Sequence, residues 1–284
     1  MSKLFIGLIG TALALLLTGC AFFGEEEGEV RKADISLSEL MKKMKAVNDP
    51  KQLCATAQSY ILRQQLIHET EEPVEHDRVV EVKFQKSPCF TKTTNYIDGK
   101  VDAVTLFDGE NAWTMDYETG KKSPIEGVKL KMIKTLGKIS NPAYSYTDIF
   151  SDIELRLVYF DGKEYYRMVC TTSDEEIPAL TIFVDKNSFL TRKISVDFVT
   201  ADDNKINYIS YINEYALLSG VLMPAVITAE VNGEKSQYKT IEFKLNIQFP
   251  TNEFVTPDPW YLQAGATAER TSKNAAPGKD AKAK

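Results

Sequence analysis

The side chains able to do catalytic or metal chemistry are few, and their spacing is poor for it. His68 and His76 are the only histidines, and they flank a turn-like cluster from Glu69 to Pro73. On two paired strands they could approach each other and, with Glu69 or Asp77, offer a cation a nitrogen–oxygen site. Loop-tip positions tolerate any polar residue, so both are read as solvated hairpin residues and no metal is expected. A Ser–His arrangement would have to borrow one of these imidazoles, and neither lies near a nucleophile elbow. HExxH, GxSxG and P-loop patterns do not occur. The expectation is no catalytic residue, no cofactor and no enzyme.

Of the four cysteines, Cys20 stands apart. It follows Lys3, an apolar run from Leu4 to Leu17, and the small pair Thr18-Gly19. That run is shorter than the ~20 residues a membrane-crossing helix needs and has the layout of a cleaved secretory signal. Leu17-Thr18-Gly19-Cys20 resembles the lipobox of bacterial lipoproteins. The resemblance implies a signal peptide over 1–19, cleavage before Cys20, and acyl chains on the new N-terminal cysteine. More than one chain matters, because a single one anchors only marginally.

Cys54, Cys89 and Cys170 remain, and spacing leaves two divisions open: one disulfide with one thiol, or three thiols. Cys54 lies near the start of the first strand and Cys89 just past the end of the second. A meander places both at one end of the sheet, about 10 Å apart if unshifted. A Cys54–Cys89 bridge is possible only with a local bend, for which Pro88 stands ready. No CxxC occurs, so redox catalysis and a thiolate zinc site lack support.

The chain is acidic, with a formal net charge of −6, and removing residues 1–19 takes away only Lys3. Without a basic cluster, nucleic acid is excluded as a partner. Residues 20–34, with Glu25-Glu26-Glu27 and Glu29 among glycines, read as a solvated acidic tether. Residues 262–284 are rich in Ala, Lys and Thr and read as a disordered tail. Residues 35–261 fit one large domain, expected to be monomeric.

Within that domain the hydrophobic period is helical only twice. Ser36-Leu37-Ser38-Glu39 has the form of a capping box, with Leu37, Leu40, Met41, Met44 and Val47 behind it at helical spacing. Ser123-Pro124-Ile125-Glu126 looks like a second, followed by Ile125, Val128, Met132, Leu136 and Ile139. Elsewhere the pattern alternates. Trp113, Met115 and Tyr117 share a face after the Asp108-Gly109 turn. Leu180, Ile182 and Val184 share another, and Ile241, Phe243, Leu245 and Ile247 close the series after the Asn232-Gly233 turn. This predicts a mainly β protein: about eleven or twelve antiparallel strands in a curled, barrel-like sheet, with an N-terminal helix and an inserted helix covering its mouth.

Several stretches also resemble the LolA and LolB type of outer-membrane lipoprotein-sorting proteins. They are Phe84-Gln85-Lys86-Ser87-Pro88 through Phe107-Asp108-Gly109-Glu110-Asn111-Ala112-Trp113, then Ile182-Phe183-Val184-Asp185-Lys186-Asn187. Gly220-Val221-Leu222-Met223-Pro224, Leu245-Asn246 and Phe254-Val255-Thr256-Pro257 follow in order. The resemblance implies that the barrel is half-open and the inserted helix a lid, with acyl chains of a lipid or lipoprotein held on the apolar concave face beneath it. Candidate lining residues are Trp113, Met115, Tyr117, Ile125, Val128, Met132, Leu136, Ile182, Phe243 and Leu245. With Cys20 lipidated, the expected place is the cell envelope, on the periplasmic face of the outer membrane. Apolar alternation alone fits a ligand cavity and a filled core equally. A non-transporting envelope sensor or interaction protein is therefore the alternative.

Overall fold

The computed structural model describes residues 29–69, 76–140, 144–160, 162–199 and 205–255. Cys20, residues 1–28 and the tail from 256 onward lie outside the described residues.

Among the described residues fourteen strands form one antiparallel sheet that does not close into a barrel. Its edges are β1 (Val30–Lys32) and β7 (Lys122–Ile125). From the first edge run β8 (Asp152–Phe160), β9 (Lys163–Thr171), β10 (Leu180–Asp185), β11 (Thr191–Val199), β12 (Lys205–Leu218), β13 (Val221–Val231) and β14 (Glu234–Leu245). The order then returns to β2 (Ser59–Glu69), β3 (Arg78–Gln85), β4 (Phe90–Ile97), β5 (Lys100–Phe107) and β6 (Ala112–Asp116). Joining β14 to β2 makes one curled, half-open sheet of what the chain order would leave as two meanders. Asn232 and Gly233 both have positive φ, the geometry of a tight two-residue hairpin, and they set the register Val231 to Glu234.

The sheet has two strands more than the alternation predicts, and both are edges. Strand β1 is three residues long, below what a period-two pattern can reveal. Strand β7 replaces the expected start of the lid helix. Pro124 pairs opposite Trp113, and Ile125 opposite Ala112, so Ile125 is a strand residue and not helical. Proline is tolerated there because an edge strand has one side with no partner to donate to. The helix begins two residues later, at Gly127, whose φ of +59° turns the chain out of the strand.

Among the described residues there are four helices. In α1 (Leu37–Asn48) the Ser36 hydroxyl accepts the Glu39 amide at 3.2 Å. Glu39 does not complete the reciprocal box; its carboxylate pairs with Lys43 at 3.1 Å. Chain entry into α1 is tied to the sheet by Asp34, which accepts the Tyr166 hydroxyl at 2.8 Å and pairs with Lys186 at 3.1 Å. A short α2 (Leu53–Thr56) follows, then α3 (Gly127–Ser140) and α4 (Tyr146–Ile149). Helix α3 approaches β5 closely: a Cβ at Gly137 would lie 3.0 Å from the Phe107 ring, so only glycine fits without a shift.

The main core lies between the helices and β8 to β13. Leu40 and Met44 of α1, Met132, Leu136 and Ile139 of α3, and Phe150 meet Leu157, Met168, Cys170, Ile182 and Ile194. Burial of these side chains is worth about 1.5–3 kcal/mol each. A separate cluster joins Tyr60, Leu62, Val82, Phe84, Val221, Met223 and Phe243. On the opposite face of β3 and β4, Glu253 binds Lys83 and Lys92 at 2.9 Å each. There Phe254 packs 5.5 Å from Phe90, strapping the segment after β14 across the strands.

Candidate functional site

The two clusters do not merge. Between them lies a groove of about 650 Å³, within the range of about 300–1,000 Å³ typical of small-ligand pockets. Its walls come from both ends of the chain. Helix α1 contributes Met41 and Met44, α2 contributes Cys54, and the end of α3 contributes Ile139. Residues Tyr144 to Ile149, including α4, form the outer lip, while Tyr60, Tyr215, Val221, Met223, Phe243 and Leu245 supply the sheet side.

Strand alternation explains the sheet side. Leu62 and Phe243 pair across β2 and β14, as do Tyr60 and Leu245, so their side chains share the inner face. Tyr60 stacks on Phe84 at 4.8 Å and tilts against Phe243 at 6.0 Å, giving the groove an aromatic wall. Strand β12 shifts register against β13 at Ile212 and again at Glu214. Such irregularities bend a strand and break even side-chain spacing. The following turn carries Gly220, with φ +81° and a would-be Cβ only 2.8 Å from Leu53. Glycine therefore lets α2 sit against the β12–β13 turn.

Polar groups in the groove are mostly committed elsewhere. Asp49 accepts the Leu53 and Cys54 amides at 2.7 and 2.9 Å, capping α2. Asp148 accepts the Ser145 amide at 2.7 Å in a capping box that starts α4, and that bond holds its carboxyl below the usual range. The Tyr215 hydroxyl donates to the Thr191 carbonyl at 2.8 Å. Burial, reinforced by Asp49, pushes the Cys54 thiol up to about 12, so it is a packing group and not a nucleophile at neutral pH. Burial does the same for Cys170, with Asp152 adding to it.

Of the candidate lining residues named from sequence, Phe243 and Leu245 line this groove. Met132, Leu136 and Ile182 sit in the closed core beneath α1 and α3. Met115 is buried on the β5–β6 side of the sheet, where Trp113 and Tyr117 are half-buried and Lys122 lies over the Trp113 ring. Ile125 is on edge strand β7, and Val128 is 36% exposed at the start of α3. Cys54 and Cys89 both border the aromatic cluster, but no disulfide joins them: Cys54, Cys89 and Cys170 are all thiols. Cys54 and Cys89 each pack against that cluster as a small apolar group.

His76 pairs with Asp98 at 2.8 Å, at the tip of the β4–β5 hairpin. Among the described residues no group of three or more His, Cys, Asp or Glu side chains gathers in metal-binding geometry. Sequence missed most of the lining, including Met41, Met44, Tyr60, Tyr215 and Met223, and it gave no element at all to Tyr144 to Ile149. Their one legible sign is Ser145 three residues before Asp148, a capping pattern with too short an apolar run behind it to announce a helix.

No protein-family model matches the chain, and no curated protein matches it. Solved structures do. A LolA superfamily protein from Nitrosomonas europaea is 14% identical with a TM-score of 0.49, over 78% of this chain and 98% of that one. An outer-membrane lipoprotein-sorting protein domain from Vibrio parahaemolyticus is 12% identical with a TM-score of 0.48, over 76% and 95%. A DUF1329 family protein from Desulfovibrio piger is 14% identical with a TM-score of 0.48, over 76% and 94%.

Proposed function

We propose that the chain is a lipid-anchored protein of the cell envelope that holds acyl chains, of a lipid or of a lipoprotein, in the groove between α1, α4 and the sheet. The groove itself carries this reading. Its lining is largely apolar, and its few carboxylates are taken up in helix caps. Each methylene buried is worth about 0.8 kcal/mol. Roughly ten methylenes gain roughly 8 kcal/mol before the cost of ordering the chain, enough for useful affinity. The interaction-protein alternative calls for a filled interior, and the space beneath α1 counts against it.

Mass spectrometry of lipid extracted from the purified protein, with titration of a fluorescent fatty acid ester, tests the reading. Acyl lipid should co-purify and the ester should bind saturably; neither doing so would refute it. The anchor is tested separately through Leu17-Thr18-Gly19-Cys20. Cys20→Ala should abolish palmitate labelling and impair processing, and equal labelling of wild type and variant would remove the anchor from the proposal.

A further inference from the structure

The groove is apolar within, but its rim is not. Lys42 and Lys45 both border it and both are exposed. Three residues apart on α1, they are neighbours on one helix face. The lysine between them is otherwise engaged: Lys43 pairs with Glu39 at 3.1 Å and lies 4.7 Å over the Phe189 ring. Lys42 and Lys45, by contrast, form no ion pair among the described residues.

The acidic side chains bordering the groove do not answer them. Asp49 already accepts two backbone amides and Asp148 accepts from Ser145, so both carboxylates are held by donors of their own. Two uncommitted ammonium groups thus stand at the mouth of an apolar groove, on a chain whose formal charge is −6. Global charge repels an anion here, so any preference for one has to come from this rim.

We infer that the groove's occupant is an acyl lipid with an anionic head, a carboxylate or a phosphodiester, held between Lys42 and Lys45 while its chain lies against Tyr60, Met223 and Phe243. This rests on the acyl-binding reading above and narrows it. A lipid-modified protein terminus has an uncharged amide and ester head and would leave both lysines unused, so the rim favours a lipid over a lipoprotein.

The experiment titrates the delipidated protein at low salt with a fluorescent fatty acid and with its uncharged methyl ester. Soluble short-chain phosphatidylglycerol and phosphatidylcholine serve as competitors. The acid should bind about tenfold more tightly than the ester, given the worth of two lysines toward an anionic head. That advantage should shrink in about 0.5 M salt. Lys42→Gln combined with Lys45→Gln should bring the acid down to the ester's affinity and leave ester binding and thermal unfolding unchanged. Phosphatidylglycerol should displace the probe better than phosphatidylcholine. An ester that does not bind wild type sinks the acyl-binding reading itself. An ester that binds as well as the acid, or a double variant that keeps the preference, overturns the anionic head alone. So does a lysine effect seen only with vesicles, because that assigns the rim to a membrane surface.

Discussion

The strands from β8 to β11, with the far ends of β12 and β13, and those running from the β12–β13 turn through β14 to β2 carry the same alternation of apolar and polar residues. One set closes on a solid interior and the other leaves a groove. In the closed region α1 and α3 lie directly on the sheet, and Met168, Ile182 and Ile194 have no exposed surface. The open region is bordered by one side of α1, through Met41 and Met44, and by α2 and α4, which are a single turn each and too short to fill the remaining space. Register shifts in β12 also spread the inner side chains there. The comparison teaches that an acyl-sized space in a curled sheet depends less on which apolar residues face inward than on how much helix lies over them.

The largest expected effect breaks the closed region. Met132→Asp puts an unpaired carboxylate in the core and should cost about 3–4 kcal/mol, whereas Val128→Asp, one turn earlier and exposed, should cost almost nothing. Thermal unfolding separates them, and comparable melting temperatures for the two would show that α3 does not lie on the core as described.

Leu245→Asp probes the open region. Leu245 is half-buried at the groove's edge, so the charge stays partly hydrated and stability should fall by only about 1 kcal/mol. Affinity for the ester probe should fall about tenfold. A large loss of stability with unchanged affinity would make this region a second closed core.

The smallest effect concerns neither interior but the strap outside. Burial raises the Glu253 carboxyl, yet Lys83 and Lys92 outweigh it and hold it below the usual glutamate range. A depressed value means its stabilisation is present above about pH 4.3 and is lost as pH falls through the lowered value. Partial exposure limits the sum to about 0.5–1 kcal/mol. Glu253→Gln should therefore lower stability by that amount at neutral pH, and the difference should shrink as the pH falls through the lowered carboxyl value. A difference that persists in acid would mean the residue acts through packing.

Much of the architecture is legible in the chain, and particular residues show why the rest is not. The hairpin at Asn232-Gly233 follows from two positive φ values that few other pairs accept. The cap at Ser36 follows from a hydroxyl placed before an apolar stripe. Ser123-Pro124-Ile125-Glu126 misleads because proline suits the first turn of a helix and an edge strand alike. Only the pairing of Pro124 with Trp113 chooses between them.

The sequence by itself determined the local periods: strands of period two, two amphipathic helices and the turns between them. These rest on interactions between residues close in the chain, where side-chain type sets backbone preference directly. Which apolar face became core and which became groove was decided only by tertiary structure. Leu180, Ile182 and Val184 are indistinguishable in pattern from Ile241, Phe243 and Leu245, since alternation reports that a residue points inward and not what meets it there. The pairing of β14 with β2 and the placement of α1, far apart in sequence, settled that, because a cavity is the volume left when long-range packing is complete.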